Sequence, residues 1–249
     1  MWSSLLFAAV VVCAAYTVRG LTGFGSGPIM APLLALVMDL KTVIAVSVFL
    51  QFAVGGYMAF RTRRSVDRSV VARAALPGIV GAVAGAWLLS YLPVRALLFL
   101  VGFGTLWYAV RMLRGQKART TEPSAAAALG AGGLSGLLEG MFGAGGPPFV
   151  VFLNRNQPDK SLLRGTVLGY FILIDGFLTL CYFALPTLVS SAPVLDRAGM
   201  MTALLMLAPA AAGAWIGDVL HHRASPAAFR TGVSATLVLS GVAVLLKAV

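Results

Sequence analysis

Two glycine-rich tracts, and a few ionisable residues inside otherwise apolar stretches, are where this sequence can do chemistry. Phe24-Gly25-Ser26-Gly27-Pro28 aligns with Phe142-Gly143-Ala144-Gly145-Gly146 at an offset of 118. Glycine this dense breaks a helix, and the half-helix that follows starts with bare N–H groups and roughly half a positive elementary charge. Without a Cβ in the way, an anion can approach those groups closely. Pro28 and Pro32, like Pro147 and Pro148, suit first-turn positions after such a break. The candidate anion-binding residues are therefore Gly25, Ser26 and Gly27 in the first tract and Gly143, Ala144, Gly145 and Gly146 in the second. Tight helix packing through small residues is the competing reading. A dinucleotide fingerprint at Gly23-x-Gly25-x-Gly27 is excluded, because no soluble strand precedes it and no acidic residue follows at the required distance.

Charged side chains in the apolar stretches are few, and each is costly enough there to be a functional candidate. Arg19 precedes the first tract and Glu139 the second; Arg164 and Asp175 lie eleven positions apart on one predicted helix, three turns, and so share a face. Arg19 and Arg164 are candidate counter-ions for an anion, with anchoring to lipid phosphate as the alternative. Glu139 and Asp175 are candidate proton-coupling sites, with a structural ion pair to an arginine as the alternative. Asp218, near a helix end, is expected to cap or snorkel. Ser47 and Gln51 align with Thr166 and Tyr170 at an offset of 119 and are candidates to line the path; interhelical hydrogen bonding is their bland role.

The elements that must position these residues are set by composition. The chain is 59% hydrophobic and only 11% charged, with mean hydropathy +0.91, which no water-soluble fold of 249 residues tolerates on its surface. Its solvent is lipid. Apolar segments run over 5–18, 21–38, 42–60, 74–91, 94–113, 125–138, 141–153, 162–185, 198–220 and 227–246, two sets of five. The N-terminal segment lacks a basic region ahead of it and is expected to be retained in the membrane. The one composition break, RGQKARTTEP from Arg114 to Pro123, reads as a cytoplasmic linker over 114–124 between a first membrane repeat, 1–113, and a second, 125–249. Pro77-x3-Gly81-x3-Gly85 aligns with Pro209-x3-Gly213-x3-Gly217 at an offset of 132, which supports an internal duplication.

Orientation follows from the basic loops. Arg61, Arg63, Arg64, Arg68 and Arg73 fall in one loop, and Arg111, Arg114, Lys117 and Arg119 in the next but one, so both face the cytoplasm and the two segments between them cross out and back. Continued through the second half, this places the loop around 186–197 outside, the His221-His222-Arg223 turn inside and both termini outside. Five elements per half invert the second repeat relative to the first, the arrangement used by secondary transporters. Segments 125–138 and 141–153 are short for a span, so each half is expected to contain a glycine-centred hairpin that dips into the membrane without fully crossing. The expected fold class is all-α: a polytopic helix bundle of about 8–10 segments, an inverted repeat with broken or re-entrant helices.

Other chemistries find no support. The formal net charge of +11 sits in short loops between spans and not on a free aromatic and basic surface, so nucleic acid is not an expected partner. Cys13 and Cys181 lie in apolar runs without CxxC spacing, and the adjacent His221 and His222 read as a solvated turn; no metal site and no cofactor are expected. No HExxH, GxSxG or paired intramembrane aspartates occur, so no catalytic residue is assigned.

GLTGFGSGPIMAPLLAL and GLLEGMFGAGGPPFVVFL, with RGTVLGYFILIDG after the second, resemble the paired motifs of the sulfite exporter TauE/SafE family of membrane permeases. The resemblance covers essentially the whole chain in layout, with its specificity in those motifs. It implies a bundle of about eight or more helices and transport of sulfite, sulfonates or related organic anions. Ser26 stands where the family pattern often has glycine, which leaves the first half-site less defined than the second. The expected function is a secondary transporter of a small sulfur-containing or organic anion in a bacterial inner membrane. Its expected partners are that anion, membrane lipid, protons as coupling ion and a second copy of the chain in a homodimer. A passive anion channel, a non-transporting scaffold and an embedded enzyme are the rival readings.

Overall fold

A computed structural model describes residues 2–114, 124–156, 159–184 and 197–221, together with 234, 238, 241, 242, 245 and 246. Most of the linker, the loop around 186–197, the His222-Arg223 part of the turn expected inside and most of the last apolar segment, 227–246, lie outside the described residues. Among the described residues there are nine α-helices and no strand. They are α1 (Trp2–Thr22), α2 (Ser26–Leu34), α3 (Leu40–Thr62), α4 (Arg68–Tyr91), α5 (Val94–Arg114), α6 (Ala125–Phe142), α7 (Gly146–Asn156), α8 (Lys160–Ala184) and α9 (Arg197–His221). Six of these, α1, α3, α4, α6, α8 and α9, contain stretches long and apolar enough to cross a membrane.

Local chemistry sets the helix starts. Asp39 accepts from Thr42 N (3.0 Å) ahead of α3, Asp67 from Ser69 N and Val70 N (3.1 Å each) ahead of α4, and Ser124 from Ala127 N (3.1 Å) ahead of α6. Each side-chain oxygen takes up an N–H that the first turn leaves without an intrahelical partner. Glycines in the left-handed region end α1 and α6: Gly23 (φ 86°) and Gly25 (φ 99°) in the first break, Gly143 (φ 61°) in the second. That conformation costs other residues about 1–2 kcal/mol, so the breaks are written into the sequence.

The breaks fall later than periodicity predicts. α1 runs through Arg19 to Thr22, and α6 runs through Glu139 to Phe142 and reaches 18 residues. In each broken element the first arm has span length and only the second arm, α2 or α7, is short. The correspondence between the two breaks changes with them. Gly23 N donates to Arg19 O and Gly143 N to Glu139 O, both at 2.7 Å, while α2 and α7 open at Ser26 and Gly146. The two breaks therefore correspond at an offset of 120, not 118. In that register Arg19-Gly20-x2-Gly23-x-Gly25-x2-Pro28 matches Glu139-Gly140-x2-Gly143-x-Gly145-x2-Pro148, and Arg19 and Glu139 occupy equivalent places.

The two halves interlock. α9 packs on α1 and α4 on α6, with α3 against α8 between them. The contacts are equivalent: a Cβ on Gly81 or Gly85 would run into the carbonyls of Gly133 or Leu137 on α6, and one on Gly213 or Gly217 into those of Cys13 or Thr17 on α1. This close backbone approach, with no side chain between the helices, is what small-residue spacing provides in lipid, where helices gain little from hydrophobic burial against one another. α3 and α8 are the most enclosed spans, each with 61% of its span window buried against 33–44% for the other four, so polar groups on them sit at the centre of the bundle. Large apolar side chains such as Leu6, Phe103 and Leu205 point outward, as a lipid-facing surface requires.

Candidate functional site

The broken helices meet. A Cβ on Gly27 would overlap the Gly143 carbonyl oxygen and lie 2.9 Å from Ala144 Cα, while one on Gly146 would lie 3.0 Å from the Phe24 ring. Gly27 and Gly146 are glycines because each tract's backbone passes directly against the other tract. The second tract is also pressed against its own helix: a Cβ on Gly145 would strike the Ser135 carbonyl oxygen and come within 2.9 Å of Glu139 Cβ.

A buried polar cluster lies at this crossing. Arg19, only 2% exposed, donates from Nη1 to Ser26 Oγ (3.2 Å) and to Gln51 Oε1, and its Nη2 pairs with Asp175 Oδ2 at 3.5 Å. Gln51 Nε2 donates to Glu139 Oε1 (2.8 Å) and to Gly143 O (3.0 Å). The other Glu139 oxygen accepts from Gly145 N at 2.7 Å, so the carboxylate caps the break before α7. Ser135 Oγ donates to Gly145 O. Gln51 thus joins the arginine of one half to the glutamate of the other. One guanidinium faces two carboxylates, so the set carries charge −1 with both acids ionised and zero with one proton bound.

The two breaks are not satisfied alike. At α7 the chain's own carboxylate takes an N–H of the tract, whereas at α2 the N-cap Gly25 contributes no side-chain cap and the nearby charge is the Arg19 cation. Several buried polar atoms on α1, α3 and α8 have no protein hydrogen-bond partner: Tyr16 Oη, Arg19 Nε, Ser47 Oγ and Thr179 Oγ1, together with both Asp175 oxygens, whose one described partner is the Arg19 ion pair. Such groups are costly in an apolar medium unless water or a ligand completes them. On the α5 side, an apolar cavity of about 350 Å³ reaches the crossing at Pro28, Phe142, Ala144 and Pro147.

Other residues singled out from the sequence fall elsewhere. Ser47 adjoins the crossing, 3.4 Å from where a Gly143 Cβ would lie. Tyr170 stands behind it, donating to Gly132 O on α6 (2.8 Å) and stacking on Phe149 of α7 (4.1 Å), a brace for the second broken element. Thr166 accepts from Asp67 N (2.9 Å) and donates to Leu162 O (2.7 Å), fastening α8 to the start of α4. Arg164 pairs with Asp218 (2.7 Å), an ion-pair role where the place near a helix end suggested capping or snorkelling. Ser135 and the capping role of Glu139 escaped sequence reasoning, because both depend on the turn that folds Gly145 back onto α6. No group of three or more His, Cys, Asp or Glu able to hold a metal occurs among the described residues.

An all-helical membrane bundle whose two broken helices cross beside a buried, incompletely paired charge cluster belongs to the class of membrane permeases. Comparison with known proteins agrees. The chain belongs to the sulfite exporter TauE/SafE family, whose profile matches residues 7–244. It is 33% identical over 171 residues to the probable inner membrane transporter protein TsaS of Comamonas testosteroni, covering 68% of each chain. No solved structure matches. The protein is a membrane transporter of the TauE/SafE type.

Proposed function

We propose that this transporter carries a small sulfur-containing or organic anion, of the sulfite or sulfonate class, across a bacterial inner membrane by alternating access. The location is that given for the TsaS relative, and the substrate class follows the family description. The observation that carries the proposal is Arg19, a fully buried cation at the crossing of two broken helices, with partnerless polar atoms around it. An anion accepts from Arg19 Nε, from the Tyr16 and Ser47 hydroxyls and from the N–H groups that open α2, and a proton taken up with it completes the Asp175 carboxylate, whose oxygens an anion cannot satisfy.

In this reading the anion binds at the first tract, Gly25 to Gly27, with Arg19 as counter-ion and Tyr16, Ser47 and Gln51 within the site. Glu139 holds the second tract, Gly143 to Gly146, in place of substrate. With both acids ionised the cluster is already negative, and a further anion raises the electrostatic cost steeply in a low-dielectric interior. A proton on Glu139 or Asp175 offsets that cost and couples anion movement to the pH gradient. Because the tracts touch, passage requires them to part, and the interlocked halves are then the bodies that move. We infer that the halves, 1–113 and 125–249, are duplicated and inverted, on the strength of the 120-residue register and the exchanged α1/α9 and α4/α6 packing.

The test is flux into proteoliposomes of sulfite, thiosulfate, sulfoacetate, taurine and small carboxylates, with and without an imposed pH gradient. Saturable movement of one anion that rises with the gradient is the expected result. Unsaturable flux indifferent to the gradient would establish a channel instead. Sealed vesicles that move none of these anions would overturn the substrate class.

A further inference from the structure

A second basic site lies away from the crossing, where α3, α8 and α9 meet. Arg164, 8% exposed in its side chain, pairs with Asp218 Oδ1 at 2.7 Å; Arg61 reaches Asp218 Oδ2 at 4.0 Å and donates to Tyr57 Oη at 3.4 Å. Two guanidinium groups thus share one carboxylate, and the buried Nε of Arg164 has no protein partner. All three charged residues line one cavity of about 250 Å³, whose remaining wall is almost wholly apolar, with Val54, Met58, Leu207 and Ala214 running inward from the charged end. At its mouth stand Tyr57 and Trp215, 62% and 67% exposed on the outside of the bundle. Arg61 is the first residue of the basic stretch that continues through Arg63, Arg64 and Arg68, so this end faces the cytoplasm by the positive-inside rule.

We propose that this cavity binds one anionic phospholipid of the inner leaflet, its headgroup phosphate between Arg61 and Arg164 and part of an acyl chain along the apolar wall. Net charge +1 at the rim attracts a negative headgroup and favours it over a zwitterionic one. An exposed tyrosine and tryptophan beside the cations mark the headgroup level of a membrane. The apolar wall is what separates a lipid from a free anion, since inorganic phosphate or sulfate would gain nothing from it. The site also touches the first helix break, where a Cβ on Gly23 would lie 3.0 Å from Arg164 Cγ. A lipid that steadies Arg164 therefore steadies the turn at Gly23. This inference does not depend on the identity of the transported anion.

Native mass spectrometry of the purified full chain tests it, titrating phosphatidylglycerol, phosphatidylcholine with the same acyl chains, and sodium phosphate. Phosphatidylglycerol is expected to bind about fivefold more tightly than phosphatidylcholine, the increment of one net basic residue at a membrane surface. Arg61→Gln should bring that ratio close to one, and because Arg61 is 57% exposed the variant should fold normally. Trp215→Leu should weaken both lipids together. Equal binding of the two lipids by the unaltered chain, an unchanged ratio in Arg61→Gln, or displacement of phosphatidylglycerol by equimolar phosphate would each overturn the proposal.

Discussion

Replacing Gly27 with alanine adds one methyl group at the most crowded point of the crossing. Its Cβ would fall on the Gly143 carbonyl, 2.7 Å from the carbonyl carbon and 2.9 Å from Ala144 Cα. The Gly143 oxygen lies closer still, far inside an ordinary contact of about 3.2 Å or more, so the tracts must separate by about 1.5 Å. Both obstacles are backbone, and no rotamer change relieves them. Overpacking of this kind costs about 1–3 kcal/mol of stability, which leaves insertion and folding intact. The effect on transport is larger. The first tract yields and moves away from an anion that Arg19 and Ser47 hold from α1 and α3, which stretches an N–H to anion bond from about 2.9 Å to about 4 Å or more and abolishes it; two charge-assisted bonds lost at about 1.5 kcal/mol each lower apparent affinity by about 100-fold. Gly25→Ala meets only Val18 Cγ1 at 3.1 Å, but must hold φ near 99° and should lose about 1–2 kcal/mol through strain alone. Gly130→Ala has nothing within 4 Å and should match or slightly exceed the parent in stability. The assay is anion uptake into proteoliposomes as a function of concentration, at matched protein content, with thermal unfolding measured in parallel. Wild-type KM in Gly27→Ala would refute the claim that close contact of the tracts builds the binding site.

The remaining predictions concern the charge cluster and the tract. Arg19→Gln leaves Glu139 and Asp175 without their cation and should destabilise by about 3–5 kcal/mol, with Asp175→Asn in the same chain restoring part of the loss; additive unfolding temperatures would show that the two do not act as a pair. Glu139→Gln keeps the size of the side chain while leaving Asp175 as the one titrating acid of the cluster, so uptake should persist with a reduced response to an imposed pH gradient, and an undiminished response would remove Glu139 from coupling. Gln51→Leu strips Arg19, Glu139 and Gly143 of hydrogen-bond partners and should cost about 2–3 kcal/mol in unfolding measurements, whereas a loss under about 0.5 kcal/mol would mean the bridge contributes little. Gly145→Trp must displace the Ser135 carbonyl and Glu139, so transport should vanish while membrane insertion remains, as read by fractionation alongside flux.

The class of the protein and the presence of two helix breaks were legible because both are written in one dimension. Lipid as solvent forces long apolar runs, and a helix broken inside them needs glycine where φ turns positive, so the two glycine tracts mark the breaks without any tertiary information, while the structure picks out Gly23, Gly25 and Gly143 within or beside them. The same density of small residues hid the register: with glycine at nearly every other position, offsets of 118 and 120 both align, and only the points where α1 and α6 end choose between them. Segment ends were misplaced for a related reason. Arg19 and Glu139 look like the polar close of an apolar run, yet each lies one turn before its helix ends, because partners elsewhere in the fold make burial tolerable.

Those partners are what only the tertiary structure decided. Arg19, Gln51, Glu139 and Asp175 come from four helices, and Gln51 and Glu139 stand 88 positions apart in the chain while 2.8 Å separates the atoms that bond. Nothing in local spacing tells Arg19, held at the centre, from Arg164, paired with Asp218 beside the end of α9; both are single arginines beside apolar runs. By itself the sequence determined that the chain lives in lipid, that its helices break at two glycine tracts, and that a few charges are costly enough to need a reason. Which charge meets which, and which tract is left without a side-chain cap, depends on how α1, α3, α6 and α8 pack, since a side chain's electrostatic environment is made by whatever the fold places next to it.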